Sequence, residues 1–194
     1  MSQRGDPNAA DGDGYTPLMH ALLGAAGARQ PTQVCSLLLN AHADVWASTG
    51  SGSTPVHAAA AGGHHEALRM ILDFRANPNV VDRAGATALH RAARNGHQNC
   101  ALVLLDRGAE VHRRDGAGQS ALYHAVAGAH AGFVEMLCSR GAPADEIVSE
   151  PDCTMLSFAA TLGNRQVVAA LLKYRTQRPA FWPGAGGPAP SWAP

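Results

Sequence analysis

The stretch Ala86-Thr87-Ala88-Leu89-His90-Arg91-Ala92-Ala93-Arg94-Asn95-Gly96-His97 decides how this chain is read, because the chain keeps returning to it. The same frame stands at Ser53-Thr54-Pro55-Val56-His57-Ala58-Ala59-Ala60-Ala61-Gly62-Gly63-His64. It opens the chain as Tyr15-Thr16-Pro17-Leu18-Met19-His20-Ala21 and comes back as Gln119-Ser120-Ala121-Leu122-Tyr123-His124-Ala125. A degenerate last copy is Cys153-Thr154-Met155-Leu156-Ser157-Phe158-Ala159-Ala160. Measured between the hydroxyl residues, the steps are 38, 33, 33 and 34 residues. A steady period of this size marks a repeat array, in which one small unit recurs and leans on its neighbours.

Each unit reads as two helices and a turn. Thr54 is placed to cap a helix with Pro55 at its first position, where the missing N–H costs nothing. That helix is predicted to run to about Gly62, and Gly62-Gly63 to turn the chain. A second helix carries an apolar stripe: Ala67, Leu68, Ile71 and Leu72 in unit two, then Cys100, Ala101, Val103, Leu104 and Leu105. Unit four repeats it with Phe133, Val134, Met136 and Leu137, and unit five with Val167, Val168, Leu171 and Leu172. Helices of about ten residues are marginal alone in water, so stacking must stabilise them. Gly108 and Gly141 then fit a left-handed turn at the end of the second helix. His42 and Arg75 fill that place in units one and two, at an expected cost of about 1 kcal/mol each.

These steps, together with the Thr-Pro-Leu-His-x-Ala pattern, make the chain resemble the ankyrin-repeat family over roughly residues 5 to 175. The resemblance implies an all-α solenoid of helix-turn-helix units joined by hairpin-like loops. The units are expected at about 15–47, 48–80, 81–113, 114–147 and 148–176. Residues 1–14 are read as a lead-in holding part of a preceding unit's loop. Asp11 stands before Thr16 as Asp82 stands before Thr87, and Asn8 matches Asn79. Either that half-unit frays, or the chain is cut from a longer array. The extra length of unit one is assigned to Gly24–Pro31, and Asp145 to Asp152 is expected to form an irregular loop. From 177 to 194 the composition turns to Pro, Gly and Ala with Phe181, Trp182 and Trp192. Such a segment is expected to be disordered, with Phe181-Trp182-Pro183 as its candidate docking peptide.

The chain has 194 residues, 46% of them hydrophobic, 15% charged and 5% aromatic, with a formal net charge of zero. Neutrality without a Lys/Arg run argues against a nucleic-acid partner. No apolar run approaches the roughly 18 residues of a membrane span, and no signal-peptide core opens the chain. The four cysteines, Cys35, Cys100, Cys138 and Cys153, stand singly, and the three that fall at apolar positions of second helices read as small buried hydrophobes in a reducing compartment. A cytoplasmic or nuclear setting and a monomeric state are therefore expected.

Ten histidines raise the question of a metal. No His-Glu-x-x-His pattern occurs, His64-His65-Glu66 is adjacent rather than convergent, and no Cys/His cluster offers four ligands. No metal or other cofactor is expected. His57 and His90 occupy the His of the family pattern, where the resemblance implies a ring bonded between neighbouring loops. His64, His97 and His130 open second helices. Gly116-Ala117-Gly118-Gln119-Ser120 loosely resembles a phosphate loop, but no strand precedes it and no Lys follows. No nucleophile elbow and no cysteine with a basic partner appear either. Catalytic residues and a small-molecule substrate are therefore not expected.

What remains is surface. The resemblance implies that other proteins bind the concave side, built from loop tips and first helices. By register from the capping hydroxyl, the candidate partner-binding residues are Tyr15, His20, Trp46, Arg83, Arg91, Arg94, Asn95, Gln119 and His124. Units two and four present small residues, whereas unit three places three arginines on one ridge. Arginine and aromatic residues are enriched at binding hot spots, so an acidic peptide against Arg83, Arg91 and Arg94 is one reading; a solvated helix face is the other. Trp46 is either an exposed anchor or packed over the next loop. Asn79 stands where the family resemblance implies asparaginyl hydroxylation, its default role being to bond the loop locally. The expected function is a non-enzymatic protein-interaction scaffold. The alternatives are a regulatory ankyrin module of a larger protein or complex and, more distantly, an enzyme.

Overall fold

The computed structural model describes residues 5–23, 31–148 and 153–175. Within them the chain forms α1 (Pro17–Leu23), α2 (Pro31–Asn40), α3 (Pro55–Gly62), α4 (His65–Asp73) and α5 (Ala88–Asn95). There follow α6 (Gln98–Asp106), α7 (Ala121–Ala127), α8 (Ala131–Ser139), α9 (Met155–Thr161) and α10 (Arg165–Arg175). The odd-numbered helices stack in one row and the even-numbered helices in a second row behind it. Among the described residues there is no strand, only isolated antiparallel bridges at Val81–Thr87, Arg114–Ser120 and Ile147–Thr154. The expected all-α stack is therefore what forms, and the bridges are its hairpin-like loops.

The predicted starts hold because the hydroxyl residues cap as expected. The Ser120 and Thr154 side chains accept the N–H of Tyr123 and Ser157. Thr54 and Thr87 lie in extended backbone before α3 and α5, with ψ of 170° at each. The core fills from both rows: Val56, Leu89 and Leu122 from the first helices, Leu68, Ile71, Leu104, Phe133 and Leu137 from the second. Alanines at 59, 60, 92, 93 and 125 are fully buried, and their small size lets neighbouring helices approach closely. In unit five the predicted stripe is only partly covered, since Val168 is half-buried and Leu172 is 45% exposed.

His42 and Arg75 both sit at φ 64°, in the left-handed region that Gly108 and Gly141 occupy in later units. A third non-glycine residue, Ala129 at φ 61°, stands where Gly63, Gly96 and Gly163 make the turn between helices. The stretch from Gly24 to Gln30 and part of the loop before unit five, residues 149–152, lie outside the described residues, as does the tail.

The loop tips are tied to one another. Gly50 N–H donates to the Asp13 carbonyl at 3.1 Å, Arg83 N–H to that of Ser51 at 2.9 Å, and Gly116 N–H to that of Ala84 at 2.8 Å. Between the third and fourth tips the approach leaves no room for a Cβ at Gly85, which would lie 2.6 Å from the Gly116 nitrogen. The first-helix row and this line of tips together make the face on which the candidate residues lie.

Candidate interaction face

The tips of repeats one to four are each built around a side chain five residues before the cap. The Asp82 Oδ1 accepts the N–H of Ala84 at 2.9 Å and of Ala86 at 3.0 Å, and its Oδ2 pairs with Arg91 on α5. Asp115 does the same with Ala117, Gln119 and His124, the last at 2.8 Å. Asp11 does so with Asp13, Tyr15 and His20, again 2.8 Å from the ring nitrogen. Burial alone would raise the pKa of Asp82, but the Arg91 guanidinium and the two backbone donors outweigh it and hold the carboxyl below its ordinary value. Asp115 is likewise opposed by burial and held low by His124, Gln119 and Ala117. Three of the candidate binding residues, His20, Arg91 and His124, are thus the cations or ring partners of loop carboxylates.

The buried histidines bond from one unit to the next. The His57 Nδ1 accepts the Thr54 N–H at 3.2 Å, which places the ring proton on Nε2, 3.0 Å from the Ala86 carbonyl. His90 repeats this with Thr87 at 3.1 Å and the Arg113 carbonyl at 3.1 Å. Burial lowers the pKa of both rings, and a second ring proton would face an N–H donor. At the opposite end of the helices, His97 reaches the Ala61 carbonyl at 3.0 Å and His130 the Arg94 carbonyl at 3.1 Å. Asn95, a candidate binding residue, joins them by donating to Ala61 at 2.8 Å.

Family models for ankyrin repeats match the chain, one of three copies over residues 22–115 and one of many copies over residues 96–138. The chain belongs to the ankyrin-repeat family. Ankyrin repeats are generally protein–protein interaction modules. No curated protein matches the chain.

Within this ankyrin stack the candidate residues divide by what they already hold. Arg83 at the tip and Arg94 in the last turn of α5 are exposed and make no ion pair or side-chain hydrogen bond among the described residues. Arg91, three residues before Arg94 on the same helix face, is committed to Asp82. Around them the neighbouring repeats present Gly50, Ala61, Gly116 and Ala117, so the guanidinium groups stand on a low surface. Tyr15 and Gln119 are half-buried, their backbones closing the loops onto Asp11 and Asp115 at 3.0 and 2.9 Å. The Tyr15 ring lies 5.6 Å from that of His20.

Trp46 is 64% exposed, which separates its two readings in favour of an unpacked ring. It replaces an asparagine whose role is visible elsewhere: Asn79 donates to the Gly108 carbonyl at 3.0 Å and accepts from Glu110 N–H at 2.9 Å. Asn8 makes the matching pair with His42 at 3.3 Å and Asp44 at 2.7 Å. Both ends of the Asn79 amide are therefore engaged with the next repeat. Just before the fifth repeat this register holds Glu146, a buried carboxylate that sequence reasoning missed. It accepts from the Ser120 hydroxyl at 2.6 Å and pairs with Arg114 at 2.6 Å. The helical histidine of repeat four is replaced by Tyr123, whose ring stacks on Phe158 at 4.9 Å.

All four cysteines are free. Burial pushes the Cys35 thiol up to about 11 and those of Cys100 and Cys138 to about 12, so none of these three offers a thiolate near neutrality. Among the described residues no three His, Cys, Asp or Glu side chains converge as metal ligands would, and no helix is long and apolar enough to cross a membrane.

Proposed function

We propose that this protein is a non-enzymatic scaffold that binds a partner protein through an acidic segment laid along the loop and first-helix face. The observation that carries this reading is the pair Arg83 and Arg94, exposed and unengaged, on either side of an arginine already neutralised by Asp82. Carboxylates from a partner would form bidentate, charge-assisted bonds with such guanidinium groups. The small residues on both flanks leave space for a backbone to approach them. Trp46, Tyr15 and His20 extend the face toward the N-terminal repeats and would supply apolar contact.

This reading assigns Arg91 a different task from its neighbours: it positions the tip that carries Arg83. The test is fluorescence anisotropy with a labelled Glu/Asp-rich peptide at low and physiological salt. The Arg83→Ala/Arg94→Ala protein should bind at least tenfold more weakly while its melting temperature stays unchanged. Equal affinity in the two proteins would remove the acidic-segment reading. Protonated thiols and the lack of disulfides suit a cytoplasmic or nuclear setting.

A further inference from the structure

Repeats two to four share a covered surface that repeat five lacks. In repeat two Val56, Ala60 and Leu68 are 0–1% exposed, as are Leu89, Ala93 and Ala101 in repeat three and Leu122, Val126 and Val134 in repeat four. The helices that carry these sets pack against the helices of the repeat that follows. The same register in repeat five holds Leu156, Ala160 and Val168. Ala160 is exposed, Leu156 and Val168 are half-buried, and Leu162 at the end of the same helix is 46% exposed.

We propose that the segment 176–194 of this chain folds back over this end face, with Phe181 and Trp182 taking the place of a further repeat's helices. The segment leaves directly from α10, whose last residue is Arg175. Six residues of chain from Arg175 to Phe181 span up to about 20 Å, while packed helices lie about 8–10 Å apart, so both α9 and α10 are within reach. The chemistry fits as well: residues 179–194 carry no charged side chain and include Phe181, Trp182 and Trp192. Phe and Trp each bury about 150–250 Å², enough to fix a short stretch but not a long Pro/Gly-rich one. The contact therefore centres on Phe181-Trp182. A sequence too poor in apolar residues to fold alone still orders on a surface that is already formed.

The 194-residue chain carrying Trp46→Phe and Trp192→Phe keeps Trp182 as its only tryptophan. Its emission should be blue-shifted and its acrylamide quenching at least twofold below that of the urea-unfolded chain, at every protein concentration. Adding Ala160→Glu, which sets a charge on the face at an exposed position, should restore full quenching with the helical circular dichroism intact. In the otherwise native chain, Phe181→Ser/Trp182→Ser should lower the melting temperature by about 4 °C or more. Quenching equal to that of the unfolded chain, shielding that survives Ala160→Glu, shielding lost on dilution (a second copy as the cover), or an unchanged melting temperature would each overturn the proposal.

Discussion

Arg75 holds a backbone conformation that costs a residue with a Cβ about 1 kcal/mol relative to glycine, and so does Ala129. Gly108 and Gly141 take the first of these positions in later repeats, and Gly63, Gly96 and Gly163 the second. Arg75→Gly and Ala129→Gly are each expected to raise the melting temperature by about 2–4 °C, measured by calorimetry. A lower value at either site would mean that the side chain contributes more than its backbone strain takes away. The buried histidines set a pH dependence. His57 and His90 have folded pKa values below the unfolded value of about 6.5, so the unfolded chain binds protons first. Stability should be level above about pH 7 and fall as the pH drops through 6.5 toward 5. Asp82 and Asp115 are also held below their ordinary value, but for a carboxyl this favours the charged native form, so their contribution is present at neutral pH and is lost only as the pH falls through the acid range. Urea titrations from pH 8 to 5 check the first window, and His57→Gln/His90→Gln should flatten it.

At the scale of the element, the loop behaves as a part with fixed dimensions. Gly85 lies at φ 72°, and a Cβ there would meet the Gly116 nitrogen at 2.6 Å, so Gly85→Ala both strains the turn and forces two tips apart. A loss of about 2 kcal/mol or more is expected, accompanied by faster amide exchange at Gly116, whose N–H is bonded to Ala84. Normal protection of Gly116 in that variant would mean that the tips are not coupled. The element level is also where the sequence was most informative. Capping residues at Thr54, Thr87 and Ser120 recur with the repeat, so the helix starts could be read from the chain alone. The roles of His20, Arg91 and His124 were harder to see. Each stands on the outer face of a first helix, which marks a candidate contact residue, while its carboxylate lies nine residues earlier and meets it only once the loop has closed. The correlation was nevertheless present: Asp11, Asp82 and Asp115 accompany a base, and Ala58 in repeat two has none. Glu146 gave no such signal, because its register holds Asn, Trp or His elsewhere and Ser120 is 26 residues away.

For the molecule as a whole, the described helices pack chiefly against those of their own and adjacent repeats, so stability is close to a sum of unit and junction terms. The junctions are unequal. Repeats two, three and four are joined by His57 and His90 between loops and by His97 and His130 at the other end. The last junction has the Tyr123–Phe158 stack and the Glu146 hub in their place. Hydrogen exchange should accordingly be slowest in α5 and α6 and faster in α1 and α9, with α9 opening before α7. Uniform protection across all repeats would show that the stack unfolds as one block, whatever its junctions contain.

Repeat two carries Thr49 where repeats one, three and four have aspartate, with its hydroxyl 3.1 Å from the Ser53 nitrogen, and Ala58 where those three have a base. Acid and base have therefore been replaced together. Changing only one of them leaves either a sheltered carboxylate stripped of its counter-ion or a cation set against a hydroxyl, and both are worse than either end point. The two sites form a single heritable unit: a lineage crosses between the charged and the neutral tip through a weakened intermediate, so grafting a tip from one repeat to another will succeed only when its distant helical residue travels with it.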